Sequence, residues 1–284
     1  MPIERTIDVP SGSLVVHHWC SAAAPHFLTF IAHGYAEHAR RYDHVASRLV
    51  DAGSTVIAPD QRGHGRSSGP RGLMADMDGY AADLRAVMAA FHLEFPSAPR
   101  VLIGHSMGGL IATRLVQLFP GSVDALVLSG PVVGGNPDVF ALADVDPIPD
   151  APVDPSVLSR DLAVGAAFAA DPLVYHGPYR PETLAAYKAA VARVAEGPGF
   201  GALPTLWIHG GDDRLAPLAP TRTAIEGLKG SRFEQIIYAE SRHEIFNEVD
   251  RDLVIDDVLA FVLRELAGVG IAPAKTGSES ANLP

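Results

Sequence analysis

Apolar and polar positions along this chain follow two alternating periods. Short runs rich in branched residues, Phe27 to Ala32, Ser54 to Ala58, Val101 to Ile103, Val123 to Leu128, Thr205 to His209 and Phe233 to Tyr238, predict buried strands. Helical spacing fills the stretches between them. It runs from about Arg40 to Asp51 with Tyr42, Val45, Leu49 and Val50 inward, from Met77 to Phe95 where Pro96 stops it, and from Leu110 through Ile111, Leu115, Leu118 and Phe119. It returns near Pro220 to Leu228 and again from Asp252 to Leu266. Alternation of this kind predicts an α/β fold with a mostly parallel central sheet, right-handed crossovers and helices on both faces. Ahead of it, Ile3 to Val9 and Leu14 to Cys20 flank Pro10-Ser11-Gly12-Ser13 and predict an antiparallel hairpin.

From Val132 to about Gly201 the alternation breaks. The segment opens on Gly134-Gly135-Asn136-Pro137, carries Pro147, Pro149, Pro152 and Pro155, and then shows two alanine-rich helix patterns, about Ser159 to Ala170 and Pro181 to Glu196. Apolar residues in exposed-looking positions are frequent, among them Val139, Phe140, Leu142, Val157, Leu158, Leu162 and Phe168. A helical insert after the sixth strand reads as a lid over the strand ends, where open α/β sheets bind ligands. The plainer alternative is a proline-rich connector packed on the surface. The chain accordingly divides into a core of residues 1–131 and 202–267, a lid insertion of residues 132–201, and a small, polar tail at 268–284 expected to be disordered.

Length and charge narrow the function classes. The 284 residues suit one large domain with an inserted piece better than two equal domains. With 22 basic against 33 acidic side chains, a net charge of −11 and no basic cluster, nucleic acid is not an expected partner. The single cysteine, Cys20, has no internal partner, and Glu4, Arg5 and Asp8 stand where a secretory signal needs an apolar core, so a cytoplasmic location is expected. No apolar stretch approaches the roughly 18 residues that span a bilayer. Transient contact of the lid with a membrane or lipid-droplet surface stays open, and no obligate protein partner is inferred.

The candidate chemistry starts at Gly104-His105-Ser106-Met107-Gly108, between a buried strand and a helix. This is G-x-S-x-G, the pattern of a nucleophile elbow, in which a strand reverses so sharply into a helix that no Cβ fits two residues either side of the serine. The pentapeptide alone is a weak signal, and the flanking strand and helix give it weight. A serine hydroxyl needs a base, and the base needs an acid that holds its tautomer. Thr205 to His209 runs into Gly210-Gly211-Asp212-Asp213, and Phe233 to Tyr238 runs into Ala239-Glu240-Ser241-Arg242-His243. Ser106, one of the two aspartates, and His243 therefore fall at three strand ends in the chain order expected for this fold. Two backbone N–H groups are candidates for an oxyanion hole, that of Met107 after the serine and that of Tyr35 after His33-Gly34. Twelve histidines raise the question of a metal, but no H-E-x-x-H occurs and the His33/His38 spacing suits no common zinc pattern, so neither metal nor cofactor is expected. Arg62, His64 and Arg66, in the glycine-rich loop that follows Pro59, read as loop bracing rather than a phosphate site.

Taken together, His33-Gly34-x-x-Glu37-His38-x-x-Arg41-Tyr42, Asp60-x-Arg62-Gly63-His64-Gly65-x-Ser67, Gly104-His105-Ser106-Met107-Gly108-Gly109, Asp213-Arg214-Leu215 and His243-Glu244-x-x-Asn247-Glu248 resemble bacterial monoglyceride lipases of the serine α/β-hydrolase superfamily. The resemblance runs from about residue 3 to 266 and includes Ser159-Arg160-Asp161 and Asp171-Pro172-Leu173-Val174 in the insert. It implies the α/β-hydrolase fold and cleavage of a small lipid ester, monoacylglycerol, to glycerol and fatty acid by Ser106, Asp213 and His243. It also selects Asp213 over Asp212, which then braces the turn. Glu37 and Arg41 match family positions that bind the glycerol end; equally, they sit four apart and fit an ion pair on a solvated helix face. Phe246 departs from the family, standing where the mammalian enzyme has a second histidine near glycerol. Tyr35 is bulkier than the usual residue at its position and is expected to narrow the pocket mouth. A lysophospholipase or general short-chain carboxylesterase would share every catalytic residue, and a ligand-binding receptor on the same scaffold is the non-enzyme alternative.

Overall fold

A computed structural model describes residues 1–150 and 154–267; the tail expected to be disordered lies outside the described residues. Eight strands form one sheet: β1 (Ile3–Val9), β2 (Gly12–Trp19), β3 (Phe27–Ala32), β4 (Ser54–Pro59), β5 (Arg100–His105), β6 (Ala125–Ser129), β7 (Thr205–Gly210) and β8 (Phe233–Tyr238). Their spatial order is β1-β2-β4-β3-β5-β6-β7-β8. The expected hairpin is present, with Val9 opposite Gly12, and β2 runs antiparallel to β4. All later pairings are parallel.

Eight helices complete the described chain: α1 (Asp43–Asp51), α2 (Met77–Glu94), α3 (Met107–Leu118), α4 (Pro137–Ala141), α5 (Leu162–Ala170), α6 (Pro181–Glu196), α7 (Leu218–Leu228) and α8 (Arg251–Ala267). On one face of the sheet Val87, Leu110 and Ile225, from α2, α3 and α7, close over Phe30, Leu102 and Trp207. On the other, Leu49 of α1 and Val258 of α8 meet Ile31, Ile103 and Ile208. Strands covered on both faces need apolar side chains on both, which is why β3 and β5 read as continuous hydrophobic runs rather than alternating ones.

Several boundaries differ from the sequence expectation for identifiable reasons. The helix expected from Arg40 begins as a 3-10 turn over Ala39–Tyr42, because Asp60 captures the Ala39 N–H at 2.9 Å and holds that turn to the β4 loop. The Asp76 side chain caps α2 by accepting from Asp78 N, and the helix ends one residue early because Phe95, preceding Pro96, leaves the helical region. The helix expected from Ser159 starts only at Leu162. Ser159 is engaged elsewhere, its hydroxyl donating to the Asn247 carbonyl, and the Asp161 carboxylate takes over as cap by accepting from Ala163 N. Leu158 and Phe168, which looked exposed in the sequence, are buried with Ala36 and Val174, whereas Leu162 stays 78 % exposed.

Candidate active site

The turn from β5 into α3 is as tight as its glycines require. A Cβ at Gly104 would lie 2.5 Å from the Gly108 carbonyl oxygen, and one at Gly108 would lie 1.9 Å from that of Ala32. Ser106 between them has φ of 53° and ψ of −116°, a strained conformation for a residue with a side chain. The strain is held by its neighbours: Ser106 N donates to the Ser129 carbonyl at 2.9 Å, and the Ser106 carbonyl accepts from Gly109 and Val132. The serine thus stands at the amino end of α3, where the helix dipole is positive.

Three side chains that are far apart in sequence meet there. His243 Nε2 is 2.9 Å from Ser106 Oγ, and His243 Nδ1 is 2.8 Å from Asp213 Oδ2. The other oxygen of Asp213 accepts from the N–H groups of Leu215 and Ala216 at 2.9 and 2.8 Å. Asp212 is half exposed; its carboxylate faces Arg214 and Arg242 and its N–H bonds to the Ser241 carbonyl. Burial by itself would lower the His243 pKa, but the charge and hydrogen bond of Asp213 outweigh it and hold the imidazole above its ordinary 6.5. Burial acts oppositely on Asp213, yet the imidazole keeps its carboxyl below the usual carboxylate range. An imidazole so placed can take the Ser106 proton only while neutral. The kcat/KM for any ester is therefore expected to fall about tenfold per pH unit on the acid side of a pKa lying above 6.5. A pH–rate profile whose acid limb is centred below that value would contradict the pairing.

The loop after β3 closes the site. A Cβ at Gly34 would sit 3.3 Å from the Ser106 Cβ, so the Gly34-Tyr35 backbone passes directly beside the serine. The N–H groups of Tyr35 and Met107 donate to no acceptor among the described residues; Met107 is the first residue of α3 and has no intrahelical partner. The loop is rigidly braced. Gln61 N donates to His33 Nε2 at 2.9 Å, which leaves His33 Nδ1 to donate to the Gly34 carbonyl at 2.8 Å. Burial lowers the His33 pKa, in keeping with that neutral tautomer. The motif around Asp60 serves the same end, since its carboxylate accepts from Ala39 N and Arg66 N, and Arg62 pairs with Asp83.

Glu37 and Arg41 do not form the solvated surface pair that their spacing allowed. Glu37 is 3 % exposed, and its carboxylate accepts from Gly34 N at 2.6 Å, the Tyr42 hydroxyl at 2.7 Å and Arg41 at 2.8 Å. Arg41 reaches on to both oxygens of Glu244, at 2.6 and 2.7 Å. Burial would raise the Glu37 pKa, but Arg41 and the facing histidines bring it down to about 2. Glu37 lines the cavity; Arg41 lies behind Glu37 and Glu244 and is not part of the cavity wall. Phe246 is not in that wall either. It is fully buried in the core against Tyr42, so position 246 offers the cavity no group of any kind.

Sequence reasoning passed over the residues that hold the His243 loop. Glu244 is one of them, and its partner Arg41 is 203 residues away. Arg160, from the insert, donates to Glu248, Glu240 and Asp250 at 3.0 to 3.1 Å, while Glu244 N donates to the Leu158 carbonyl at 2.8 Å. The signal in the sequence was that Arg160, Glu244 and Glu248 belong to segments that carry the family resemblance. His105 was also unassigned; its ring lies 4.8 Å from that of His243, and burial followed by that neighbour lowers its pKa to about 4, leaving it neutral.

These groups surround a narrow cleft with about 80 Å³ of internal space open to water. Val132, Val139, Phe140, Leu158 and Phe168 make it apolar, and Tyr35 lines it, its hydroxyl bonded to the Gly72 carbonyl at 2.9 Å. Such an arrangement can carry out acyl transfer: a hydroxyl, a base, an acid that orients the base, and two free N–H donors beside an apolar cavity. Among the described residues no group of three or more His, Cys, Asp or Glu side chains is placed to hold a metal ion, and no helix is long and apolar enough to cross a membrane.

Comparison with known proteins gives the same direction. The family model for serine aminopeptidase, S33 (Hydrolase_4) matches residues 23–250. A monoacylglycerol lipase of Mycolicibacterium smegmatis is 37 % identical over 265 residues, 87 % of this chain and 92 % of the relative. The monoglyceride lipase of Homo sapiens is 28 % identical over 282 residues, covering 95 % and 93 %. Among solved structures, a soluble variant of the monoglyceride lipase of Saccharomyces cerevisiae, in complex with a substrate analogue, superposes with a TM-score of 0.81 at 19 % identity, over 93 % of this chain and 96 % of that one. At that identity the likeness speaks for the α/β-hydrolase fold alone.

Proposed function

The chain belongs to the serine aminopeptidase S33 family and to its monoacylglycerol lipase branch, and from that premise we propose that it hydrolyses monoacylglycerol to glycerol and free fatty acid through an acyl-enzyme intermediate. The observation that carries the reading is the continuous relay from Asp213 through His243 to Ser106 at the floor of an apolar cleft. In this reading Ser106 Oγ attacks the ester carbonyl as His243 Nε2 takes its proton. The proton then passes to the departing glycerol oxygen. Water attacks the acyl-enzyme with His243 again as base, and fatty acid leaves. Tyr35 and Met107 N–H stabilise the oxyanion at each tetrahedral stage.

Residues 132–201 act as the lid in this account, since Val139, Phe140, Leu158 and Phe168 supply much of the apolar wall above Ser106. The exposed apolar side of α5, with Leu162 at its start, is the part of the lid that would rest on a lipid surface while substrate enters. Glu37 contributes its carboxylate edge to the glycerol side of the cleft, and Arg41 acts through Glu37 and Glu244.

Rates on a monoacylglycerol, on lysophosphatidylcholine and on short p-nitrophenyl esters, measured with the same purified protein, test the substrate assignment. Monoacylglycerol is expected to give the highest kcat/KM of the natural esters. Faster turnover of lysophosphatidylcholine would replace the reading with a lysophospholipase. Cleavage confined to p-nitrophenyl esters would replace it with a general carboxylesterase.

A further inference from the structure

The cleft that holds Ser106 has two chemically distinct sides. Glu37, His105 and Glu244 make one side polar, roofed by Phe168, whose ring carries the Arg41 guanidinium at 5.0 Å. Val132, Phe140 and Tyr187 belong to a different core cluster and form the apolar side, with Tyr179 beside them. An acyl chain attached to Ser106 is driven toward the apolar side, because each methylene it buries there leaves water.

Tyr179 occupies a singular position on that path. It lines the catalytic cleft and also a second, outer cleft between residues 143–148 and 175–181, whose walls include Val145, Pro147, Ile148, Pro178 and Pro181. The outer cleft is wider and more open to solvent, with about 760 Å³ accessible to water against about 80 Å³ for the catalytic one. The Tyr179 ring is stacked face to face on Tyr35, with centroids 5.0 Å apart and planes within 11°. Tyr35 is itself fixed by its hydroxyl on Gly72 and by edge contacts with Tyr175 and Tyr187. Burial alone pushes the Tyr179 hydroxyl up to about 12, with no charged group or hydrogen-bond partner contributing. One ring, stacked on Tyr35, therefore lines two largely apolar spaces.

We propose that Tyr179 is the partition that sets the length of acyl chain this hydrolase accepts. Chains that fit the catalytic cleft end against its ring; longer ones reach the outer cleft only when the ring leaves Tyr35. The proposal rests on the ester-hydrolase reading above.

The test is a chain-length series of p-nitrophenyl butyrate, octanoate, laurate and palmitate, read as the ratio of kcat/KM for laurate to that for butyrate. Each extra methylene buried is worth about fourfold, so Tyr179→Ala, which joins the two spaces, is expected to raise that ratio by about tenfold or more. Tyr179→Phe is expected to leave the ratio as in the unaltered protein. Adding Ile148→Trp to Tyr179→Ala refills the outer cleft and is expected to reverse the gain, while Ile148→Trp alone changes nothing. A residue that merely packed would slow all chain lengths alike, so an unchanged ratio in a Tyr179→Ala protein whose Ser106 still labels fully with a fluorophosphonate overturns the proposal. Should Tyr179→Ala fail to label, Tyr179→Leu is scored by the same ratio, and no change there overturns it equally. The p-nitrophenyl series scores the partition even if monoacylglycerol is not cleaved, whereas monoacylglycerol cleavage with an unchanged ratio removes the partition and keeps the function.

Discussion

Replacing Ser106 by alanine is expected to lower ester turnover by about ten-thousand-fold or more, to the level that binding and oxyanion donors alone support. The change removes the only group among the described residues that His243 Nε2 faces at hydrogen-bonding distance, and with it the oxygen proposed to form the acyl-enzyme. It should not harm the fold. Among the described residues the Ser106 hydroxyl makes no hydrogen bond except that with His243, while the backbone at residue 106 is held by Ser129, Gly109 and Val132. Steady-state kinetics on a p-nitrophenyl ester, with fluorophosphonate labelling in parallel, gives the measurement. Hydrolysis retained within about tenfold of the unaltered protein, where a loss of about ten-thousand-fold is expected, would remove Ser106 as nucleophile whatever the family.

Asp213→Asn should cost nearly as much, about ten-thousand-fold in kcat, for a reason that the hydrogen bonds spell out. One oxygen of Asp213 accepts from two backbone N–H groups, those of Leu215 and Ala216, and the other faces His243 Nδ1. An asparagine must keep its carbonyl toward the two N–H donors, so its amide NH2 turns to His243. A donor facing Nδ1 forces the imidazole proton onto Nε2, the atom that must be bare to accept from Ser106. The His243 ring thereby becomes the wrong tautomer without moving. Circular dichroism should be unchanged, because no volume is added and two of the three contacts survive. Activity within about tenfold of the unaltered protein, against a loss of about ten-thousand-fold expected from a lost triad acid, would show that Asp213 does not orient the base.

The buried Glu37–Arg41–Glu244 group changes how the loops around Ser106 should be understood. It joins the Gly34 amide of the loop after β3 to the residue following His243, through one guanidinium. Breaking a buried ion pair leaves a charge stranded, which costs far more than losing an exposed one. The base and the proposed oxyanion donors are therefore coupled in position: what shifts one loop shifts the other. Arg160 adds a second clamp from the insert, whose Val139, Phe140, Leu158 and Phe168 also line the cleft.

Much of this molecule could be read along its chain. The strand runs of β3, β5, β7 and β8, the hairpin at the start and the strained elbow at Ser106 are consequences of local periodicity and of where a Cβ fits, properties of neighbouring residues. The order of Ser106, an aspartate and His243 at strand ends follows from the same rules, whereas the choice of Asp213 over Asp212 came from the family resemblance. What tertiary structure alone decided is which polar groups were taken out of water together. Sequence spacing makes Glu37 and Arg41 an exposed pair; the fold buries them because Glu244, 203 residues on, supplies the charge that makes burial tolerable. Spacing likewise cannot place Tyr179 between two clefts, or direct Phe246 into the core, since both depend on surfaces brought together by the sheet and not on any repeat in the chain.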